Sequence, residues 1–507
     1  MLEKHMDQAV GRPEQPSSKA GGNVRPRTLL SRLPRRIHML GAGGAGMSGA
    51  ARVLAAHGHE LTGHDRSDSE HVRLLRSLGV RVDVSPMESA RLPEGVELVV
   101  RSAAIGLDAP AVREATERGI PVLKYSEALG RVTPFGRTLA VAGTHGKTTT
   151  SWMLHHALRG LAASEPAGIL PWPGAIVGGV CRKLGTNAVV GDENGWFAVE
   201  ACEYDRSFLN LSPHGAIVTN VEADHLDYFG DIEAIKSAFC RFVDRAPLAG
   251  LLVVGEQVPR SVEQAARCPV WRLRRDLRVR LRHERNGYFT FDLTGPDFRI
   301  ENVTLGVPGQ FNVDNAACAL GLAVGLAARE WRIDANAAAY HAAKGLQLYE
   351  GSQRRFERWG TVGGLQVIHD YAHHPTEVKV TLETARRVFP GRRLHVLFQP
   401  HQHSRTARFL AEFADSLRMA DRVVVAEVYG ARAHIDGEQT AGATELVERL
   451  RAAGVDAVEG GVGVDAARAL AAGMEKDSAV LVLGAGDIVD FKDAVIDELA
   501  RSGAARG

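Results

Sequence analysis

The sequence predicts an α/β protein built of three successive units, each a largely parallel sheet with helices on its faces. Three observations lead there. From Ile37 onward, short apolar runs alternate with amphipathic helical stretches, the pattern of strand–helix–strand crossovers. Two glycine-rich strings, Gly41 to Gly46 and Gly143 to Thr149, stand where an apolar run gives way to helix-compatible sequence. Such junctions present backbone N–H groups to phosphate. A third set of apolar runs starts near Gly351 and repeats the alternation to the C-terminal region.

In the first unit RIHML reads as a strand, GMSGAARVLAAHG as a helix, HELTGHD as a strand ending at Asp65, and EHVRLLRSLGV as a helix. VELVVRSAAI and PVLKYSE read as further strands. The second unit opens with the strand TLAVAG and the helix KTTTSWMLHHALRG, followed by buried strands in WFAVEAC and GAIVTNVEADH. Its stretch RLRRDLRVRLRHERNGYFTFDLTGPDFRIENVTL alternates with period two around an Asn-Gly pair, which predicts antiparallel hairpins. NVDNAACALGLAVGLAARE reads as a helix. In the third unit LQVIHDYA, RLHVLFQP, RVVVAEV and AVLVLGAG read as strands between helices. The expected limits are 1–34 for a disordered extension, then 35–136, 137–350 and 351–507 for the three domains.

Composition narrows the function. The 507 residues carry 61 basic and 60 acidic side chains, a net charge of +1, so no electrostatic case arises for nucleic acid or an anionic membrane. The five cysteines are scattered and form no CxxC, which argues against a zinc knuckle or a disulfide framework and fits a cytoplasmic protein. No apolar run is expected to approach the roughly 20 residues of a membrane helix. The first thirty or so residues lack a signal-peptide core, and Glu3, Asp7 and Glu14 interrupt any transit-peptide pattern.

The first glycine string, Gly41-x-Gly43-x-x-Gly46, is followed one strand later by Asp65. That is near the spacing of a ribose-binding carboxylate, so a dinucleotide such as NAD is the default ligand, and a tight turn without ligand is the plainer alternative. The second string departs from the strict P-loop, because Val141 stands where its first glycine belongs. It retains Gly146-Lys147-Thr148: a lysine suited to β and γ phosphates and a hydroxyl suited to Mg²⁺. Glu200 ends the apolar run of FAVEACEYDRSFL, where a carboxylate is costly unless it meets a cation, either Mg²⁺ or a basic side chain. Glu222, Asp224, His225 and Asp227 crowd the string VTNVEADHLDYF, as a metal and substrate cluster or as a solvated loop tip.

The strings HMLGAGGAGMSG, AGTHGKTTT, EACEYDRSFL, TNVEADHLDYF, PGQFNVDNAACA, DYAHHPTEV, LFQPHQHSRT and VLGAGDI occur in this order. Together they resemble the Mur ligase family, from about Arg36 to Asp490. The resemblance implies an N-terminal Rossmann-like domain for the UDP of a sugar nucleotide, a central P-loop ATPase-like domain and a C-terminal Rossmann-like domain that brings the amino acid. It implies an ATP- and Mg²⁺-dependent ligase joining L-alanine to UDP-N-acetylmuramate in peptidoglycan precursor synthesis, as a monomer or homodimer. By resemblance, Gly41, Gly43, Gly44, Ala45, Gly46, Met47, Ser48, Asp65 and Ser102 contact the UDP-sugar. Gly143, Thr144, His145, Gly146, Lys147, Thr148, Thr149, Asn312, Asn315 and Asp370 contact ATP. Thr148, Glu200 and His225 hold metal, and Lys147, His225, His374, His401 and Arg405 carry catalysis. Asn312 also reads as a helix cap, and His373-His374 as a capped turn before Pro375. Tyr371, Arg354 and Arg355 belong to the same neighbourhood.

Several positions depart from the family pattern. Cys202 replaces an aspartate, Gln402 an arginine, and Asp65 lies in TGHDRS rather than SGSD. The loop 163–176 is longer than usual, and Lys236 is assigned no role. The nearest alternative is a ligase that attaches a tripeptide to the same sugar nucleotide during recycling. EADHLDYF and LFQPHQHSRT favour the alanine enzyme. A nicotinamide-dependent oxidoreductase leaves Lys147, Glu200 and His225 unexplained, and a non-catalytic sensor predicts their erosion.

Overall fold

The structure is a computed structural model that describes residues 33–164, 170–430 and 441–502. The expected N-terminal extension lies outside these residues apart from Leu33 and Pro34, as do residues 165–169 of the long loop. The described residues divide into two compact units: those within 33–280, 291–303 and 314–350, and those within 281–290, 304–313 and 351–502.

The first unit holds two sheets. One consists of β1 (Arg36–Leu40), β2 (Glu60–Asp65), β3 (Arg81–Val84), β4 (Leu98–Arg101) and β5 (Val122–Lys124) in the order β3-β2-β1-β4-β5. All its pairings are parallel. The strand order reverses between β1 and β4, and in such sheets ligands bind at the carboxyl ends beside that reversal. The other sheet consists of β6 (Thr138–Ala142), β7 (Gly174–Cys181), β8 (Thr186–Val189), β9 (Phe197–Glu200), β10 (Gly215–Val218), β11 (Leu251–Val254) and β12 (Val270–Arg272). Its order is β12-β11-β10-β6-β9-β7-β8, parallel except for β7 against β8. Strand β6 is buried throughout, as a strand covered on both faces must be, and it reads accordingly as a continuous apolar run. One apolar core runs through both sheets, from Met39 and Val100 to Ala140, Val199 and Phe239.

Three strand readings are corrected. VELVVRSAAI is extended only over Leu98–Arg101. PVLKYSE stops at Lys124, because Glu127 accepts the Lys124 backbone N–H at 2.7 Å and starts the helix Tyr125–Val132. GAIVTNVEADH is a strand only to Val218; its polar remainder turns toward the loop Gly143 to Gly146.

The helix Lys147–Ala162 meets the helix Ala335–Leu346 at Gly160 and Gly345. A Cβ at Gly160 would lie 2.1 Å from the His341 carbonyl oxygen and 2.8 Å from the Gly345 Cα. Overpacking a close backbone contact forces the elements apart. Gly160→Val is therefore expected to lower the unfolding free energy by about 1–3 kcal/mol, read from urea titration.

Next in the chain come β13 (Arg278–Arg285), β14 (Tyr288–Thr294) and β15 (Arg299–Thr304), a three-stranded sheet in that order. Asn286 and Gly287 turn the first hairpin with φ of 50° and 77°, as the period-two pattern predicts. The second unit's sheet consists of β16 (Glu357–Val362), β17 (Leu365–Asp370), β18 (Arg393–Phe398), β19 (Arg422–Ala426), β20 (Asp456–Gly461) and β21 (Ser478–Leu483). Its order is β16-β17-β21-β18-β19-β20. The edge strand β16 is antiparallel to β17 and the others are parallel.

The helix Phe311–Glu330 corrects the expectation about apolar runs. It is long and apolar enough to cross a membrane, but 83% of its apolar window is buried inside the fold, as in a core helix.

Buried histidines give the fold a pH dependence. His38, His156 and His369 are almost fully enclosed. Each has one ring nitrogen bonded, to Thr62 Oγ1, Trp152 O and Val482 O at 2.8, 2.8 and 2.9 Å. Burial holds all three near pKa 4, below their ordinary 6.5. The unfolded chain takes up these protons first, so their contribution is intact above pH 6.5 and is lost as pH falls toward 4. Asp370 works the other way. Burial raises it to about 6, so its contribution is fully present below 3.8 and declines as pH rises through 6. Three histidines outweigh one aspartate. Denaturant titrations from pH 7 to 4 are expected to show falling stability.

Candidate functional site

In the first unit the loop Gly143 to Gly146 joins β6 to the helix Lys147–Ala162. Gly143 has φ 137°, and a Cβ there would sit 2.0 Å from Thr219 Oγ1. Gly146 caps the helix with φ 82°. Both positions require glycine. The loop is fixed from β10's end: Thr144 N–H donates to Asn220 O at 3.2 Å, His145 N–H to Asn220 Oδ1 at 2.8 Å, and Thr219 Oγ1 to His145 O at 2.6 Å. Thr144 Oγ1 accepts from Glu222 N–H at 2.9 Å, and His145 Nε2 lies 3.5 Å from Glu222 Oε2.

The carboxyl ends of the adjacent strands β6, β9 and β10 therefore converge. Glu200 ends β9, and its Oε2 accepts from Thr148 Oγ1 at 2.9 Å and from Gly178 N–H at 2.8 Å. Hydroxyl and carboxylate oxygens side by side are hard donors of the kind Mg²⁺ takes. Lys147 Nζ donates to the carbonyls of Gly143 and Thr144 at 2.6 and 2.9 Å and to Glu203 Oε1 at 3.0 Å. Burial pulls the ammonium's pKa down, but the Glu203 carboxylate outweighs it and holds Lys147 above its ordinary value. Thr149 is buried in the first helical turn. His225 takes a left-handed backbone, φ 51°, its N–H donates to Asp224 Oδ1 at 2.7 Å, and its ring lies 5.0 Å from that of Tyr204.

Asn315 packs on the loop: a Cβ at Gly146 would lie 2.9 Å from its Oδ1. Asn312 stands one turn earlier on the same helix, and its amide donates to Pro308 O at 2.6 Å. Cys202 is exposed, and Lys236 pairs with Glu233 on the surface.

The other glycine string sits at the end of β1, beside the reversal of strand order. Gly41 and Ala42 N–H groups donate to His64 O at 2.8 and 3.1 Å. Asp65 accepts from Gly43 N–H at 2.8 Å through Oδ2 and from Ser67 N–H at 3.2 Å through Oδ1, so it holds the loop as well as closing the strand. Ser102 follows β4 and donates its N–H to Leu40 O at 2.9 Å. Gly44 caps the helix Ala45–Ala56, which carries Met47 and Ser48. Asn187 on β8 donates to Ala45 O and, at 3.0 Å, to Ser48 Oγ. The Tyr125 ring closes on Gly46, where a Cβ would meet it at 2.5 Å.

The second unit gathers its own cluster at the carboxyl ends of β17 and β18. Asp370 accepts from Phe356 N–H at 2.7 Å and Ala372 N–H at 2.9 Å. Arg354 and Arg355 lie over the Tyr371 ring at 4.6 and 5.0 Å. The His373 ring lies 5.6 Å from that of His401, which stacks on Tyr429 at 5.6 Å. Arg405 Nη1 is 3.4 Å from His401 Nδ1. Gln402 adopts φ 70° and bonds the Tyr429 carbonyl through its N–H at 2.9 Å. His374 stands apart from this row. It caps the helix Pro375–Val388 by accepting from Thr376 N–H at 3.3 Å, with its ring against Phe409.

Sequence reasoning missed Asn187, Thr219, Asn220, Glu203, Tyr125 and Tyr429. Glu203 lies within the string EACEYDRSFL, three residues after Glu200, and a second carboxylate just past the end of an apolar strand was the available signal.

A doubly wound parallel sheet ending in a phosphate-type loop, with a buried lysine and a hydroxyl–carboxylate pair, defines a P-loop-type nucleotide-binding protein. The Mur ligase family catalytic domain matches residues 36–135, the Mur ligase middle domain 141–323, and the Mur ligase glutamate ligase domain 354–486. The chain belongs to the Mur ligase family. Its three-domain α/β architecture is that family's, and the family is ATP-dependent. The chain is 41% identical to the UDP-N-acetylmuramate–L-alanine ligase of Rubrobacter xylanophilus over 78% of its length and 85% of the relative's. It is 37% identical to the enzyme of that name from Saccharopolyspora erythraea, over 94% and 96%. The crystal structure of UDP-N-acetylmuramate-alanine ligase from Thermotoga maritima aligns with a TM-score of 0.73 at 26% identity, covering 92% of this chain and 99% of that one. A murein peptide ligase from Psychrobacter arcticus shares the fold at a TM-score of 0.65 and 22% identity.

Proposed function

We propose that this chain joins L-alanine to UDP-N-acetylmuramate at the expense of ATP, a cytoplasmic step of peptidoglycan precursor synthesis. The likeness, along nearly the whole chain, to relatives bearing that activity's name carries the reading. The convergence of Lys147, Thr148 and Glu200 supports its ATP half.

In the proposed reaction the muramate carboxylate oxygen attacks the γ-phosphorus and ADP leaves. The resulting acyl phosphate is attacked by the alanine amine, and inorganic phosphate leaves as the amide forms. Positioning and charge neutralisation are the protein's tasks in such transfers. Lys147 neutralises the transferring phosphoryl group. The N–H groups of the helix start, Gly146 to Thr149, cradle the remaining phosphates, and Asn315 beside Gly146 borders the nucleotide. The Gly41–Gly46 loop with Ser48 and Ser102 receives the UDP-sugar diphosphate, and Asp65 receives its ribose. Thr148 and Glu200 would hold Mg²⁺, with His225 at a second position; bound there, Mg²⁺ supplies charge neutralisation at the phosphate oxygens. His401 and Arg405 receive the amino-acid side of the reaction, a guanidinium being suited to a carboxylate. Asp370 fixes the backbone that presents Arg354 and Arg355. The domain limits 35–136, 137–350 and 351–507 are part of this proposal.

The test is phosphate release from ATP and Mg²⁺ with UDP-N-acetylmuramate, adding L-alanine, L-serine, glycine or the tripeptide in turn. Release that needs both the sugar nucleotide and L-alanine is expected. Release with the tripeptide alone would move the chain to the recycling reaction, and release with no acceptor would contradict the ligase reading.

A further inference from the structure

Lys147 has three N–H donors on its ammonium, as any lysine does, and the structure gives it three acceptor groups. Two are carbonyls of its own loop, Gly143 and Thr144, at 2.6 and 2.9 Å. The third is the Glu203 carboxylate, 3.0 Å away through Oε1 and 2.9 Å through Oε2. Both side chains are enclosed, at 14% and 4% exposure, so little water is available to take over either charge. Glu203 is held inward by the turn that follows it. Arg206 N–H donates to the Glu203 carbonyl at 2.9 Å, and Asp205 and Arg206 adopt left-handed backbone, φ 55° and 52°. Non-glycine residues keep such conformations only where the surroundings fix them. Here an ion pair from Lys124 to Asp205 pins the turn.

Phosphate oxygens reach Lys147 only if one acceptor gives way. The two carbonyls belong to the loop that must itself cradle the phosphates. That leaves the Glu203 carboxylate, which carries the same sign of charge as the incoming phosphate. From this geometry we infer that Glu203 is a positioning residue: it holds the Lys147 ammonium aimed into the loop and yields it to the phosphates when ATP binds. The inference rests on the ATP reading of this loop. It makes Glu203 an internal stand-in for phosphate, weakening ground-state nucleotide binding while keeping the lysine in line. Like charges that face each other in a buried site repel strongly, and removing one relieves the competition.

Glu203→Gln keeps the shape and removes the charge. Calorimetric titration with ATP and Mg²⁺ is expected to show roughly three- to tenfold tighter binding than in the unaltered chain. Turnover with all substrates is expected to fall about tenfold, since the lysine loses its aim. KM for ATP and kcat thus fall together, the signature of lost ground-state competition. Glu203→Asp restores the charge and is expected to return the ATP Kd to within about twofold of the original. A residue that merely stabilises the fold would instead raise KM or lower the melting temperature without tightening ATP binding. Unchanged or weaker ATP binding by a folded Gln variant would overturn the inference. Should the Gln variant not fold, the Asp variant decides: an ATP Kd near the original with lowered kcat supports the inference, and a Kd raised tenfold or more overturns it. Absence of ATP binding by the unaltered chain would overturn the ATP reading along with it, whereas an unaltered chain that binds ATP beside an unresponsive Gln variant overturns this inference alone.

Discussion

Lys147→Ala is expected to reduce phosphate release on the order of a thousandfold, with the fold intact. Preorganised charges aimed at developing negative charge supply large parts of a rate enhancement, and removing one such donor costs about 10²–10³ in kcat. Lys147 sits at the N-terminus of the helix Lys147–Ala162, on a loop held by Asn220 and Thr219. The alanine variant leaves those contacts in place and removes the ammonium with its bonds to the Gly143 and Thr144 carbonyls. It also leaves the Glu203 carboxylate buried without its cation, so some loss of melting temperature accompanies the loss of rate. Near-normal turnover in a folded Lys147→Ala protein would remove the loop from the chemistry.

Glu200→Ala is expected to lower turnover by about a hundredfold or more and to raise the Mg²⁺ concentration needed for half-maximal rate. The physical reason is the donor pair. Thr148 Oγ1 and Gly178 N–H both converge on Glu200 Oε2, and Glu200 with Thr148 would hold Mg²⁺, which would supply charge neutralisation at the phosphate oxygens. Thermal melts with and without Mg²⁺ and a nonhydrolysable ATP analogue give a second readout: the stabilisation seen in the unaltered chain should shrink in the variant. Unaltered Mg²⁺ dependence would return Glu200 to a purely structural role.

The sequence made some of this legible because some physics is local. Gly146-Lys147-Thr148 between an apolar run and a helix specifies a loop whose function follows from backbone geometry, and the structure places it at the end of the central strand β6. Glu200 was readable because a carboxylate at the end of an apolar strand demands a partner. The strand alternation was readable wherever runs were apolar throughout. It misled where polar residues followed the run: in PVLKYSE the Glu127 carboxylate takes the Lys124 N–H, starts a helix and ends the strand there, and in GAIVTNVEADH the chain leaves the sheet at Val218.

What the sequence hid is tertiary. Glu203 lies 56 residues from Lys147, and nothing local marks it as that lysine's counter-ion. Asn187, 139 residues from Ser48, reaches the glycine loop only because β8 packs beside the helix Ala45–Ala56. The position of Asp65 suits a ribose contact by spacing and by resemblance, and its hydrogen bond to Gly43 N–H adds a loop-fixing role that neither encodes. The string DYAHHPTEV allows His374 a capped turn, and the structure has its ring against Phe409 while it caps a helix. Tyr429, just beyond β19, stacks on the His401 ring, a neighbour that no local pattern marks.

The most direct measurement follows an oxygen atom. UDP-N-acetylmuramate labelled with ¹⁸O in its lactyl carboxylate is incubated with ATP, Mg²⁺ and L-alanine, and the released phosphate is analysed by mass. An acyl phosphate formed by carboxylate attack on the γ-phosphorus keeps one carboxylate oxygen on phosphorus, so amide formation must release phosphate carrying one ¹⁸O. That result is predicted here. Unlabelled phosphate alongside amide product would contradict the account, because ATP would then be cleaved by water rather than by the muramate carboxylate.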